Sequence, residues 1–201
     1  MEFILASSNG HKAEEFNLLF SGSKLNVVAA DLKIEVEETG KSFRENALLK
    51  AEAYFKKYKK PTLVDDSGLT VHALPDELGI YSARFGGEGL SDKDRALLLL
   101  EKMAHVSKAD RQAFFTCVLC FYISPEEIYF FEGRMQGAIG DQYVGEHGFG
   151  YDPVFIAEKS NDGSLAQSPE YKKEFSHRAQ ACKESLAFFE RGYCQKASNS
   201  L

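Results

Sequence analysis

"PTLVDDSGLTV", residues 61–71, sets two adjacent carboxylates between two apolar runs. Thr62, Leu63 and Val64 read as a short strand, and Leu69 and Val71 resume the alternation. Asp65-Asp66-Ser67-Gly68 then reads as a turn at the strand's end. Two like charges side by side repel unless a cation lies near them. The turn is either a solvated one, with Asp and Gly in their usual places, or part of a metal site.

Upstream, "EFILA" (2–6) reads as an opening strand, followed by the polar turn "SSNG" and the helix "HKAEEFNLLF", where Phe16, Leu19 and Phe20 recur at helical spacing. Val27 to Ala30 and Ile34 to Val36 read as short strands. Ser42 and Glu45 make an S-x-x-E cap for a helix whose apolar face runs through Phe43, Ala47, Leu48, Ala51, Tyr54 and Phe55. Pro61 closes that segment. Downstream, glycines at 86, 87 and 89 break up "LPDELGIYSARFGGEGL", and Ser91 with Asp94 caps the helix "DKDRALLLLEKM". Strands near 112–123 and 127–135 pair across "SPEE" as a hairpin. A glycine-rich loop feeds a strand at 153–156, and a last helix runs from Ser176 to near Gly192. Helices alternating with strands, then a hairpin, give an α/β fold with a mixed sheet.

The 201 residues suffice for one substantial domain or two closely joined lobes. A net charge of −6 without a long Lys/Arg run argues against a nucleic-acid polymer as partner. The amino terminus lacks the basic and apolar regions of a secretory signal, and no stretch nears the roughly 20 apolar residues that span a bilayer. No membrane and a cytoplasmic location are therefore expected. Of Cys117, Cys120, Cys182 and Cys194, the first two form a C-x-x-C inside "AFFTCVLCFYI". On a strand, positions i and i+3 face opposite ways, so this pair reads as core rather than as a metal or redox site.

Four stretches can carry chemistry. "SSNGHK" places Ser7, Ser8, Asn9, Gly10, His11 and Lys12 where a strand meets a helix amino terminus, whose unpaired N–H groups suit phosphate. An ordinary N-cap with a surface lysine would look the same. Asp65-Asp66, with Glu37 or Glu38, would supply hard oxygen ligands for a divalent cation. "GFGYDPVF" lets backbone approach a ligand at Gly148 and Gly150 and offers Phe149 and Tyr151 as flat faces for a base. Two cations in a helix's first turn, His177 and Arg178, oppose the helix dipole and call for an anion or acceptor.

Six blocks in order, "LASSNGHKAEEF", "EETGKSFRENALLKA", "DDSGL", "GIYSARF", "GFGYDPVF" and "SHRAQA", resemble the inosine triphosphate pyrophosphatase family, the Ham1-type dITP/XTP pyrophosphatases, from residue 3 to about 190. The resemblance implies an elongated mixed sheet flanked by helices, with two lobes around a nucleotide-binding cleft. It implies one catalytic domain over 1–195, with 196–201 a frayed tail. It also implies hydrolysis of ITP, dITP and XTP to the monophosphate and pyrophosphate, with Mg2+ and as a homodimer. By the same resemblance Glu37 and Asp66 hold the metal, and Asp66 is the catalytic proton acceptor. Ser7 through Lys12, Ser67, Phe149, Gly150, Tyr151, Asp152, Lys172, His177 and Arg178 bind substrate, Arg178 donating to the purine 6-oxo group. The chain departs at Ser7 and Ser8, where many members carry Thr and Gly, and around "NDGSLAQSPEYKKEF", which follows the pattern loosely. Maf-type pyrophosphatases also open on a stretch like "ILASS", but follow it with a basic pair where this chain has Asn9-Gly10-His11-Lys12.

Overall fold

The computed structural model describes residues 1–7, 10–160 and 163–193. Six strands form one mixed sheet: β1 (Glu2–Leu5), β2 (Asn26–Ala29), β3 (Thr62–Val71), β4 (Gln112–Ser124), β5 (Glu127–Ile139) and β6 (Phe155–Ala157), in the order β2-β1-β3-β4-β5-β6. β1 runs parallel to both β2 and β3, whereas β5 and β6 are antiparallel. Among the described residues, five α-helices accompany the sheet: α1 (Gly10–Leu19), α2 (Phe43–Tyr58), α3 (Asp92–Lys102), α4 (Pro169–Phe175) and α5 (His177–Phe188). Among the described residues no helix is long and apolar enough to cross a membrane.

The chain divides into two compact units. The first comprises 1–66, 117–133 and 178–201, the second 67–116 and 134–177. In the first, strand alternation separates two apolar clusters. Leu63, Cys117, Leu119 and Phe121 pack with Phe16 of α1, with Phe20 just beyond it, and with Ala181 and Cys182 of α5. Val64, Val118, Cys120 and Tyr122 point the other way and pack on Ala47 and Ala51 of α2. The Cys117/Cys120 pair thus falls on opposite faces, each thiol free and buried. The second unit has its own core, in which Leu69 and Val71 meet Ala96 and Leu99 of α3 and its C-cap Met103, together with Phe115, Val154 and Phe155.

The structure departs from the expected elements at several points. The acidic stretch is not a turn: Asp65 to Gly68 lie inside β3, which continues unbroken to Val71. Ile34 to Val36 form no strand, because the donors of that segment go to side chains of α2 instead of a neighbouring strand. α4 precedes the last helix, with Pro169 in its first turn, and the chain restarts as α5 at His177. Ser42 does cap α2, accepting from Glu45 N, but the Glu45 carboxylate bonds Lys41 N rather than closing the box on Ser42. Ser91 and Asp94 make the full reciprocal box on α3. Cys194 and the 196–201 tail lie outside the described residues.

Candidate active site

Because Asp65 and Asp66 are neighbours on a strand, their side chains leave on opposite faces. That removes most of the repulsion the sequence raised. Each carboxylate then meets its own cations.

Asp65 shares the Leu63 face, between α1 and α5. Its Oδ2 accepts from Arg178 Nε at 2.6 Å and lies 3.4 Å from Lys12 Nζ, while its Oδ1 accepts from Cys117 Sγ at 3.6 Å. Lys12 Nζ also reaches the Asp65 carbonyl oxygen at 3.4 Å. Arg178 is fully buried, and its second nitrogen donates to Glu15 Oε2 of α1 at 2.7 Å. The anion required by a cation at a helix start is therefore Asp65 with Glu15. Burial alone would lower the Arg178 pKa, but the two carboxylates more than offset it and keep the guanidinium charged. Burial and the Asp65 charge push the Cys117 thiol well up, so it is inert as a nucleophile.

Asp66 shares the Val64 face, toward α2. Lys50 Nζ lies 2.5 Å from Asp66 Oδ1 and 3.1 Å from Glu38 Oε1, so one ammonium bridges two carboxylates. Burial raises the Asp66 pKa above the ordinary carboxylate value, with the Lys50 charge acting against it and winning only in part. Burial also works against the charge on Lys50, but Asp66 and Glu38 outweigh it and raise its pKa. Glu37 is exposed, so the acid brought to Asp66 is Glu38. Among the described residues no cluster of three metal-ligating side chains exists. A magnesium ion does not need one, since it usually takes one or two carboxylates and completes its shell with water and substrate phosphates. The hard oxygen pair of Asp66 and Glu38, already sharing one cation, fits such an ion.

In the second unit, "GFGYDP" is a tightly bonded loop. The Asp152 carboxylate accepts from Phe149 N at 2.9 Å and Lys172 Nζ at 2.8 Å. The Lys172 ammonium also lies 4.3 Å from the centroid of the half-buried Phe149 ring. Tyr151 is buried and its hydroxyl donates to Ser82 O at 2.7 Å, while Gly150 N donates to Asp92 Oδ2 at 3.0 Å. Ser82, from the "GIYSARF" block, accepts from Leu69 N and donates on to backbone carbonyls of its own unit. Lys173 stays on the surface near Glu170, so Lys172 is the lysine that joins the loop. Gly148 has φ +80°, and a Cβ there would collide with Asp152 Oδ2. Gly148→Ala is expected to lower stability by about 1–3 kcal/mol through that strained geometry. Chemical denaturation checks it, and an unchanged midpoint would show that the loop does not depend on it.

His177 stacks on Phe115, with centroids 4.8 Å apart and planes at 10°. Ser7 lies two residues beyond β1, with its N–H bonded to Leu5 O. Ser67 lies on β3 and is half-buried. Ser8 and Asn9 lie outside the described residues. Gly10 and His11 open α1, which brings Lys12 to Asp65. Arg178 donates to the Asp65 and Glu15 carboxylates, within the first unit. Sequence reasoning left Lys50 and Glu15 unassigned. The signal for Lys50 was available, since it lies one turn along from Ala47 and beside the apolar face of α2, inside the "ENALLKA" block.

Comparison with known proteins gives one answer from three directions. Residues 3–188 match the model of the Ham1 family. A Leptospira interrogans protein named dITP/XTP pyrophosphatase is 40% identical over 192 residues, covering 93% of this chain and 96% of the relative. Among solved structures, the Staphylococcus aureus Ham1 protein superposes with a TM-score of 0.82 at 42% identity, covering 94% of this chain and 98% of that one. A HAM1 protein from Coxiella burnetii gives 0.84 at 32% identity, covering 96% of this chain and all of that one.

Proposed function

The chain belongs to the Ham1 family, and we propose from that premise that it hydrolyses the triphosphates of deaminated purines, ITP, dITP and XTP, to the monophosphate and pyrophosphate. It is a nucleoside-triphosphate pyrophosphatase that cuts the α–β phosphoanhydride and clears such purines from the nucleotide pool. A magnesium requirement, a homodimer and a cytoplasmic location are part of the same proposal. The observation that carries the chemistry is the buried Asp66 carboxylate with its raised pKa, bridged by Lys50 to Glu38.

Magnesium held by Asp66 and Glu38 would supply Lewis-acid polarisation of the α-phosphate and neutralise charge on the leaving pyrophosphate. The remaining work falls to the chain's own groups. Lys12, in the first turn of α1, would bind phosphate oxygens together with the helix amino terminus. Asp66 would take the proton of the attacking water, a task for which a raised carboxylate pKa is suited. Lys50 fixes the Asp66 carboxylate in direction. Phe149 would stack on the base, and Lys172, held by Asp152, would donate to a 6-oxo or 2-oxo acceptor.

Pyrophosphate release across common and deaminated triphosphates tests this reading. The expected order is ITP, dITP and XTP first, then GTP, with ATP and pyrimidines last. Adenine's 6-amino group would set a donor against a donor, and each such unsatisfied contact costs about 1–3 kcal/mol. GTP keeps the 6-oxo group but carries a 2-amino group, where crowding or a missing acceptor would reject it. Equal kcat/KM for ATP and ITP would overturn the selectivity. Binding without release from any nucleotide would leave a nucleotide sensor instead.

A further inference from the structure

α2 does more than fill one face of the sheet. The face carrying Ala47 and Ala51 packs on β3 and β4. A second stripe, Asn46, Lys50, Tyr54 and Tyr58, recurs at the i, i+4 spacing that aligns side chains along a helix. Each member of it holds part of the segment preceding the helix, residues 31–40, which has neither helix nor strand of its own.

The Tyr58 hydroxyl bonds the Asp31 carboxylate and accepts from Leu32 N at 3.2 Å. The Tyr54 hydroxyl accepts from Ile34 N at 3.1 Å. Lys50 Nζ donates to Glu38 Oε1 at 3.1 Å, and Asn46 Oδ1 accepts from Gly40 N at 2.8 Å. The segment therefore descends the stripe in the direction opposite to α2. Its backbone donors at Leu32, Ile34 and Gly40, which a sheet would otherwise satisfy, end on helix side chains. The packing is close: a Cβ at Gly40 would stand 2.5 Å from Asn46 Oδ1.

The spacing along the two chains is unequal, and that inequality falls at Glu38. Between Asn46 and Tyr54 the helix advances about 12 Å, at its usual rise per residue. The chain from Ile34 to Gly40 could reach about 20 Å if fully extended. The surplus is taken up in a tight bend, where Thr39 N donates to Glu37 O at 3.1 Å. Glu38 is the residue at the centre of that bend, and its carboxylate meets the ammonium that also holds Asp66.

We propose that the α2 stripe is a positioning device, in which Tyr54 and Asn46 hold the segment on either side of the bend so that Glu38 is delivered to Lys50 and Asp66. This rests on the reading of Glu38 and Asp66 as the magnesium-holding pair. Tyr54 and Asn46 touch no reacting atom and act only through Glu38.

The test uses Tyr54→Phe, which keeps the ring stacked on Tyr58 and removes only the acceptor oxygen. Gly40→Ala pushes the segment off Asn46 from the other side. Lys57→Ala, on the exposed side of α2, is the control. The readouts are magnesium affinity of the resting protein by calorimetry, amide exchange of residues 32–40, and the magnesium dependence of kcat against KM for ITP. Tyr54→Phe is expected to speed exchange at Ile34 and weaken magnesium binding about 3- to 10-fold, the scale of one lost hydrogen bond. kcat at saturating magnesium should stay near the parent value, and Gly40→Ala should act in the same direction. Unchanged magnesium affinity in both variants overturns the proposal, even if exchange quickens, because the stripe would then only stabilise the segment. Glu38→Gln, run alongside, separates the two failures. If it too leaves magnesium affinity unchanged, Glu38 is not a metal acid and the proposal falls with that reading. If it weakens binding while Tyr54→Phe does not, only the positioning role is lost.

Discussion

Asp66→Asn is expected to lower kcat by about 100-fold or more, the usual scale for losing a positioned proton acceptor. The amide keeps the shape of the side chain and one oxygen for Lys50, but it can neither accept the water's proton nor offer a charged ligand. Folding should be little affected. Asp66 titrates above its ordinary value because burial penalises its charged form. A carboxyl raised in this way favours the folded state most at low pH. That advantage is lost as pH rises from the ordinary carboxylate range through the raised folded value. At neutral pH the charge on Asp66 is thus a cost to the fold, and neutral Asn does not carry it. The same shift places the acid limb of the parent enzyme's kcat/KM profile above that of an exposed aspartate. Activity should fall as pH drops through that raised value, and the limb should be missing from the residual activity of Asp66→Asn. An Asn variant with near-parent kcat and intact magnesium dependence would remove Asp66 from the chemistry.

The local grammar of the sequence was legible wherever one residue type has one physical use. Ser42 and Ser91 mark helix starts because their hydroxyls accept orphan N–H groups, and both helices begin there. The facing of Cys117 and Cys120 followed from strand period alone. The acidic stretch was misread because Asp, Ser and Gly favour turns and disfavour strands. Here pairing of β3 within the sheet and cations on both faces override that preference, so a strand runs through four poor strand formers. The 31–40 segment failed for the converse reason. Ile34 and Val36 carry a strand's pattern, but their neighbours in space are helix side chains, and no local rule foretells that. For the site, residue types named candidate stretches and stopped short of the partners that each side chain meets. Glu37 and Glu38 are indistinguishable by composition, and only the Lys50 contact separates them.

Arg178→Ala is expected to destabilise the protein by about 3–5 kcal/mol, the cost of stripping one partner from a buried ion pair. Its guanidinium is fully buried, with Asp65 Oδ2 at 2.6 Å and Glu15 Oε2 at 2.7 Å. Removing it takes the nearest cation from Asp65, itself enclosed, with Lys12 more distant at 3.4 Å. Against a typical folding free energy of about 5–15 kcal/mol, that is a large share. Arg178→Lys should fall between parent and Ala, since one ammonium cannot serve two carboxylates in the way a fork of N–H donors does. Adding Asp65→Asn to Arg178→Ala should recover part of the loss, because the unpaired charge, rather than the missing contact, dominates the cost. Chemical denaturation of the four proteins measures all three statements. The same variants decide what Arg178 does for the substrate. If it holds α1, β3 and α5 together through Asp65 and Glu15, then any Arg178→Ala protein that remains folded at low temperature should lose kcat/KM for ITP and for ATP in parallel. A variant of parent stability in which only the ratio of ITP to ATP collapses would return Arg178 to the base, and would require its guanidinium to leave Asp65 when nucleotide binds.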